Sequence, residues 1–215
     1  MAPSLLGVDE TLLLVLNLAG TFVFGLSGGM AAVRARLDVF GVIVLAAVVG
    51  MAGGITRDVL VGIPPETFRD GRYLAVAGTA GLVTIVGHRL VARIERPVLV
   101  LDAAGLALFC VTGAATALAT GVGPVGAVVL GAITGVGGGV LRDILLRQVP
   151  VVLREGLYAI PALIGATIVV AASELDWSSD ASALAGAAVC FATRVAGIYL
   201  DLGVPRPPGD PPPAT

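Results

Sequence analysis

Residues 50–65 read GMAGGITRDVLVGIPP, and they follow a stretch, VFGVIVLAAVV at Val39–Val49, that should simply continue as an apolar helix. Instead Gly50, Gly53 and Gly54 crowd into little more than one turn, with Arg57 and Asp58 directly behind them. The pattern returns at residues 135–150 as GVGGGVLRDILLRQVP, where Gly135, Gly137, Gly138 and Gly139 precede Arg142 and Asp143. Two charged pairs inside two apolar runs, each behind a cluster of helix-weakening residues, call for one explanation.

The surroundings are those of a membrane protein. Of 215 residues, 57% are hydrophobic and 13% charged, whereas soluble domains carry about 25% charge. Mean hydropathy is +0.99. Several apolar runs exceed the roughly 20 residues that cross a bilayer as a helix. Hydropathy and breaks place seven spans near Leu12–Val33, Val39–Gly62, Tyr73–Val91, Pro97–Leu118, Gly123–Leu146, Leu157–Ala172 and Ala181–Leu200. They use about 140 residues, which leaves short loops and no room for a sizeable soluble domain. The runs are continuously apolar, unlike the alternating strands of a β-barrel.

The N-terminal MAPSLLGVDE has no basic region of a signal peptide, so the first run is expected to be retained. The proline-rich tail, residues 203–215, is expected to be disordered. Cys110 and Cys190 fall within spans and read as small buried hydrophobes; their number and spacing suit neither a metal site nor a disulfide framework. His88 has no clustered partner and is given no role.

The chain has no lysine, so arginine sets the orientation. Nine arginines (34, 36, 89, 93, 96, 142, 147, 154 and 206) fall on one side of the seven spans and three (57, 69 and 72) on the other. The positive-inside rule then puts the C-terminus in the cytoplasm and the N-terminus outside. The expected location is the cell's inner membrane.

Shifting the sequence by 85 residues superimposes the two glycine motifs without a gap. Gly20, Phe24 and Gly28 meet Gly105, Phe109 and Gly113, and Arg57-Asp58 meets Arg142-Asp143. Pro65, Arg69, Gly71 and Tyr73 meet Pro150, Arg154, Gly156 and Tyr158. Each copy holds three spans. Because three is odd, the second copy inserts upside down, a duplication typical of transporters and some channels. The expected organisation is a first repeat at residues 9–93, an inverted second repeat at 94–175, a seventh helix at 176–202 and the tail.

Glycine costs roughly 1 kcal/mol against alanine in a helix interior, so each cluster weakens its helix near mid-membrane. A break there would free backbone groups, which is tolerable only where they line an aqueous path or are buried in protein. The same glycines also form small-xxx-small patterns that let helices pack closely. The Arg-Asp pairs lie inside the apolar runs, where ionisable groups face a partner or a cavity. They read either as anchors of the helix ends or as groups lining the mouths of a pathway. Asn17 and Asp102 are equivalent polar positions, as are Ser27 and Thr112. Arg194, six residues before the end of the last span, is expected to snorkel to the cytoplasmic surface.

GVGGG lacks the third glycine of a dinucleotide loop, since Val140 stands there, and no strand precedes it. No nucleophile–base pair or nucleotide loop stands out, so an enzyme is not expected. No cofactor, resident metal, nucleic acid or soluble partner is implied.

The doubled pattern of Phe24–Gly29 (FGLSGG), Asp38–Ala46 (DVFGVIVLA) and Gly53–Pro65, with its second copy through Gly138–Pro150, resembles the prokaryotic TRIC (trimeric intracellular cation) channel family. The resemblance runs from about Asn17 to Leu200. It implies two inverted three-helix repeats plus a seventh helix, a homotrimer in membrane lipid, and a hydrophilic pore in each protomer. The pore would be lined by the second and fifth spans, kinked at Gly50, Gly53 and Gly54 and at Gly135, Gly137, Gly138 and Gly139. Members pass monovalent cations, chiefly potassium, so permeant potassium or sodium and bound lipid are the expected small partners. Carried over to this chain, Ser27, Asp58, Thr112 and Asp143 are pore-facing candidates, with Arg57, Asp102 and Arg142 beside them. The lysine motif of the animal channels has no counterpart. A carrier of a small amino acid such as glycine, on the same inverted-repeat fold, stands as the alternative, and a non-transporting membrane scaffold as a third reading.

Overall fold

A computed structural model describes residues 9–91, 96–154, 156–177, 179–200 and 202. The proline-rich tail and the side chain of His88 lie outside the described residues. The described residues form helices and no strand: α1 (Glu10–Arg34), α2 (Val39–Leu60), α3 (Glu66–Arg69), α4 (Gly71–Val91), α5 (Pro97–Ala119), α6 (Pro124–Leu145), α7 (Val151–Arg154), α8 (Gly156–Glu174) and α9 (Ser179–Tyr199). Among them five stretches are long and apolar enough to cross a bilayer: Glu10–Arg34, Val39–Leu60, Val98–Ala119, Pro124–Leu145 and Asp180–Tyr199. Gly71–Gly87 and Ala159–Glu174 are shorter apolar stretches. Large apolar side chains such as Val86, Val125, Phe40 and Phe68 point outward, as lipid-facing positions should.

Local chemistry explains the helix ends. Asp9 caps α1 by accepting from the Thr11 and Leu12 amides at 2.6 and 3.2 Å. Asp38 caps α2 through the Gly41 amide at 2.7 Å. Pro97 and Pro124 open α5 and α6, where a missing N–H costs nothing. The four central helices end alike, on a left-handed residue just past the last turn: Arg36, Gly62, Gly121 and Arg147. Beyond it an amide turns back onto the helix, as Ile63 does to the Asp58 carbonyl at 2.9 Å and Gln148 to the Asp143 carbonyl at 2.8 Å.

α1, α2, α5 and α6 form the centre. α4 packs against α1 and α2, α8 against α5 and α6, and α9 against α5 and α8. At the α1–α5 contact Phe24 and Phe109 stack with centroids 5.5 Å apart. Glycines make room for each ring. A Cβ on Gly105 would lie 2.5 Å from the Phe24 ring, and one on Gly20 would lie 3.1 Å from Phe109. The α2–α6 crossing shows the same reciprocity: Gly53 abuts the Thr134 carbonyl, and a Cβ on Gly138 would meet the Val49 carbonyl at 2.7 Å.

This corrects the expectation that the glycines break their helices. α2 is helical without interruption from Val39 to Leu60, and α6 from Pro124 to Leu145. In lipid the association of helices comes from close packing, and here it is backbone carbonyls of neighbouring helices that occupy the space where side chains would be. That packing offsets the weak helix propensity. The chain bends instead in α8, where Leu157 leaves helical geometry (φ −78°, ψ 36°) one turn ahead of Pro161.

Gly54 differs from Gly53, since no described residue of another helix lies within 4 Å of a Cβ placed there. Gly53→Ala should therefore cost about 1–3 kcal/mol by overpacking, while Gly54→Ala should leave thermal unfolding in detergent unchanged or slightly delayed. Equal melting temperatures for the two variants would contradict the packing assignment.

Candidate functional site

The two Arg-Asp pairs build two corners with matching bonds. In the first, Arg57 Nε donates to Asp58 Oδ1 at 2.8 Å, and Asp58 Oδ2 accepts from the Glu66 amide at 2.9 Å. In the second, Arg142 Nε donates to Asp143 Oδ1 and the Val151 amide to Asp143 Oδ2, both at 2.9 Å. Each aspartate thus holds its neighbouring arginine with one oxygen and the first amide of α3 or α7 with the other. The short helices lead into α4 and α8, so each carboxylate ties a long helix to the segment that follows it.

The corners differ in what their arginines reach next. Arg142 Nη1 donates to Asp102 Oδ1 at 2.5 Å and to Ser27 Oγ at 2.9 Å. Ser27 Oγ in turn donates to the Val98 carbonyl at 3.4 Å. Residues from α1, α5 and α6 therefore meet on one guanidinium, with Arg142, Asp102 and Asp143 each no more than 5% exposed in the side chain. One guanidinium thus faces two carboxylates. A cavity of about 370 Å³, lined by Arg34, Val98, Arg142, Asp143, Gln148 and Val151 among others, reaches this corner.

At the first corner Arg57 Nη1 has no hydrogen-bond partner among the described residues, and neither does Thr112 Oγ1. Both residues are buried, as is Asn17. The structure thus brings Ser27, Asp102, Arg142 and Asp143 into one bonded cluster and joins Arg57 to Asp58. Gly53, Gly137 and Gly138 sit at the α2–α6 crossing; Gly50 and Gly135 pack on the backbones of α1 and α5. Gly139 is pressed by the Tyr158 hydroxyl.

The expectation that Arg194 snorkels is overturned. It is 1% exposed, lies over the Tyr158 ring at 4.9 Å and donates to the Leu157 carbonyl at 3.0 Å. The reason is Pro161. Proline has no N–H to return to the carbonyl four residues earlier, so the Leu157 oxygen is open to a donor from α9. Tyr158 was not singled out by the sequence beyond its match to Tyr73; a proline inside an apolar run, set against an arginine inside another, was the available signal.

Known proteins share this architecture. A family model described as "Glycine transporter" matches twice, over residues 14–89 and 99–174. A UPF0126 membrane protein of Streptomyces coelicolor is 48% identical over 198 residues, covering 91% of each chain. The inner membrane protein YadS of Escherichia coli is 39% identical over 194 residues, 88% of this chain and 93% of its own. The solved TRIC trimeric intracellular cation channel orthologue of Rhodobacter sphaeroides aligns with a TM-score of 0.86 at 36% identity, covering 90% of this chain and all of that one, 100%. A prokaryotic TRIC channel in 0.5 M KCl aligns at 0.84 and 29% identity, over 91% and 100%. Fold and buried charge define an all-helical integral membrane protein of the prokaryotic TRIC type. The chain belongs to the family described as Glycine transporter, whose model matches it twice and covers most of its length.

Removing one partner from a buried pair leaves an uncompensated charge and typically costs about 3–5 kcal/mol. Arg142→Gln should lower the melting temperature sharply, and adding Asp102→Asn should recover part of the loss. A double variant as unstable as the sum of its parts would show that Arg142 and Asp102 do not act together.

Proposed function

We propose that this chain forms a channel for monovalent cations, chiefly potassium. In this reading each protomer has seven spans, two inverted three-helix repeats and a seventh helix, and three protomers assemble in the inner membrane with the C-terminus in the cytoplasm. Each protomer carries its own pathway, lined by α2 and α6 together with α1 and α5. The observation that carries the reading is the bonded cluster of Ser27, Asp102, Arg142 and Asp143, enclosed among apolar helices. The extent of the match to solved TRIC channels supports it.

The cluster suggests how such a pathway is closed and selects. Arg142 fills the space between α1, α5 and α6 and occupies the groups that would otherwise meet an ion. If Arg142 withdraws from Asp102, a carboxylate and the Ser27 hydroxyl become available to replace an ion's water. The Asp102 carboxylate uncovered by that withdrawal favours a cation over an anion. Arg142 keeps Asp143 as its partner throughout, so its charge is never left alone.

A second reading, a carrier of glycine or a similarly small amino acid, is favoured by the description of the family model. The two separate cleanly in liposomes holding the purified protein. Under a potassium gradient, with radiolabelled glycine offered to a parallel set, the channel reading expects potassium leak that does not saturate and no concentrative glycine uptake. Saturable glycine uptake by vesicles that stay tight to potassium would replace it with the carrier.

A further inference from the structure

The first corner is an incomplete copy of the second. Arg57 and Arg142 sit in matching positions, 85 residues apart, each bonded through Nε to its aspartate. Arg142 Nη1 has two further acceptors, the Asp102 carboxylate and the Ser27 hydroxyl. At the equivalent positions stand Asn17, which is neutral, and Thr112. Arg57 Nη1 is buried without an acceptor among the described residues, and the Thr112 hydroxyl is buried without a partner as well. Each Asp58 oxygen already accepts one hydrogen bond, from Arg57 Nε and from the Glu66 amide, and Arg57 Nη1 bonds to neither.

The two matching glycines differ in the same sense. At Gly139 the Tyr158 hydroxyl and Asp102 Oδ1 crowd in, the latter 3.1 Å from a would-be Cβ. At Gly54, the matching residue, a Cβ would meet no described residue of another helix within 4 Å. The second corner thus holds a second carboxylate of the chain itself, whose Oδ2 has no partner among the described residues, while at the first Arg57 Nη1 and Thr112 Oγ1 are unmet and Asn17 stands in the place of that second acid. A buried charged donor left unmet costs more than a neutral one, so Arg57 Nη1 is a place where an outside acceptor would be gained.

We propose that Arg57, Thr112 and Asn17, with the open space beside Gly54, bind a small carboxylate supplied from solution. Guanidinium and carboxylate match in planarity and charge. A bound carboxylate would give the first corner the same balance, one arginine to two acids, that Asp102 gives the second. The carboxylate can belong to a simple acid or to an amino acid such as glycine. The site does not depend on whether the chain is a channel or a carrier.

The test is calorimetric titration of the purified protein in detergent with acetate, glycine, methylammonium and chloride. Acetate and glycine should bind saturably and raise the melting temperature, and methylammonium should not. Glycine binding more tightly than acetate would show that the amino group adds contacts to the same site. Asn17→Asp, which installs the acid present at position 102, should raise the melting temperature of the free protein and weaken acetate at least about tenfold, the worth of one charged hydrogen bond. Gly54→Ala, which fills the space without a clash, should weaken acetate in the same direction. No carboxylate binding to the wild type would overturn the proposal, with water as the occupant. So would chloride binding as well as acetate, or Asn17→Asp leaving acetate affinity intact. Potassium flux measured on the same preparation reports separately on the channel reading.

Discussion

An arginine buried beside an aspartate, one residue further along the same helix, is the contact on which the rest of this structure turns. Alone, either charge would be expensive at that depth. Together they satisfy each other, and the aspartate's second oxygen then reaches across eight residues to the first amide of the next short helix. A pair that might have been only a charge balance becomes a brace. It fixes where α2 and α6 stop, how the chain turns, and where the following helix begins.

With those ends fixed, the remaining packing is carried by glycine. The approach of α2 to α6 and of α1 to α5 is set by carbonyls and rings that occupy positions where side chains are absent. Reciprocity between positions 85 apart gives these contacts the look of one solution used twice. It also makes departures visible: Asp102 against Asn17, and Pro161 against Val76. The first departure gives the second corner an acid that the first corner lacks. The second supplies the carbonyl that holds Arg194 inside the bundle.

Much of this was legible in the sequence. Apolar runs of bilayer length and the Arg-Asp pairs inside them pointed to a membrane protein with paired buried sites, and the span bounds fall close to the helices found. Ser27, Asp102, Arg142 and Asp143 were all singled out as polar groups in apolar spans, and the structure bonds them together. Two things were not legible. A glycine cluster has the same appearance whether it loosens a helix or lets another helix in, because the deciding atom, such as the Thr134 carbonyl against Gly53, lies on a distant segment. Arg194 could not be placed because its acceptor depends on a proline 33 positions earlier in another helix. The short helices α3 and α7 were also unforeseen; four residues carry too little periodicity to announce themselves.

The central claim is that the Arg142–Asp102 contact holds the pathway shut. Potassium permeability of liposomes carrying wild-type protein or Asp102→Asn tests it most directly, since the amide keeps the shape of the corner and removes one charge of the pair. The account predicts a protein that stays folded and leaks potassium faster than the wild type. Equal permeability in the two, from equally well-folded preparations, would mean that this buried pair braces the bundle and gates nothing.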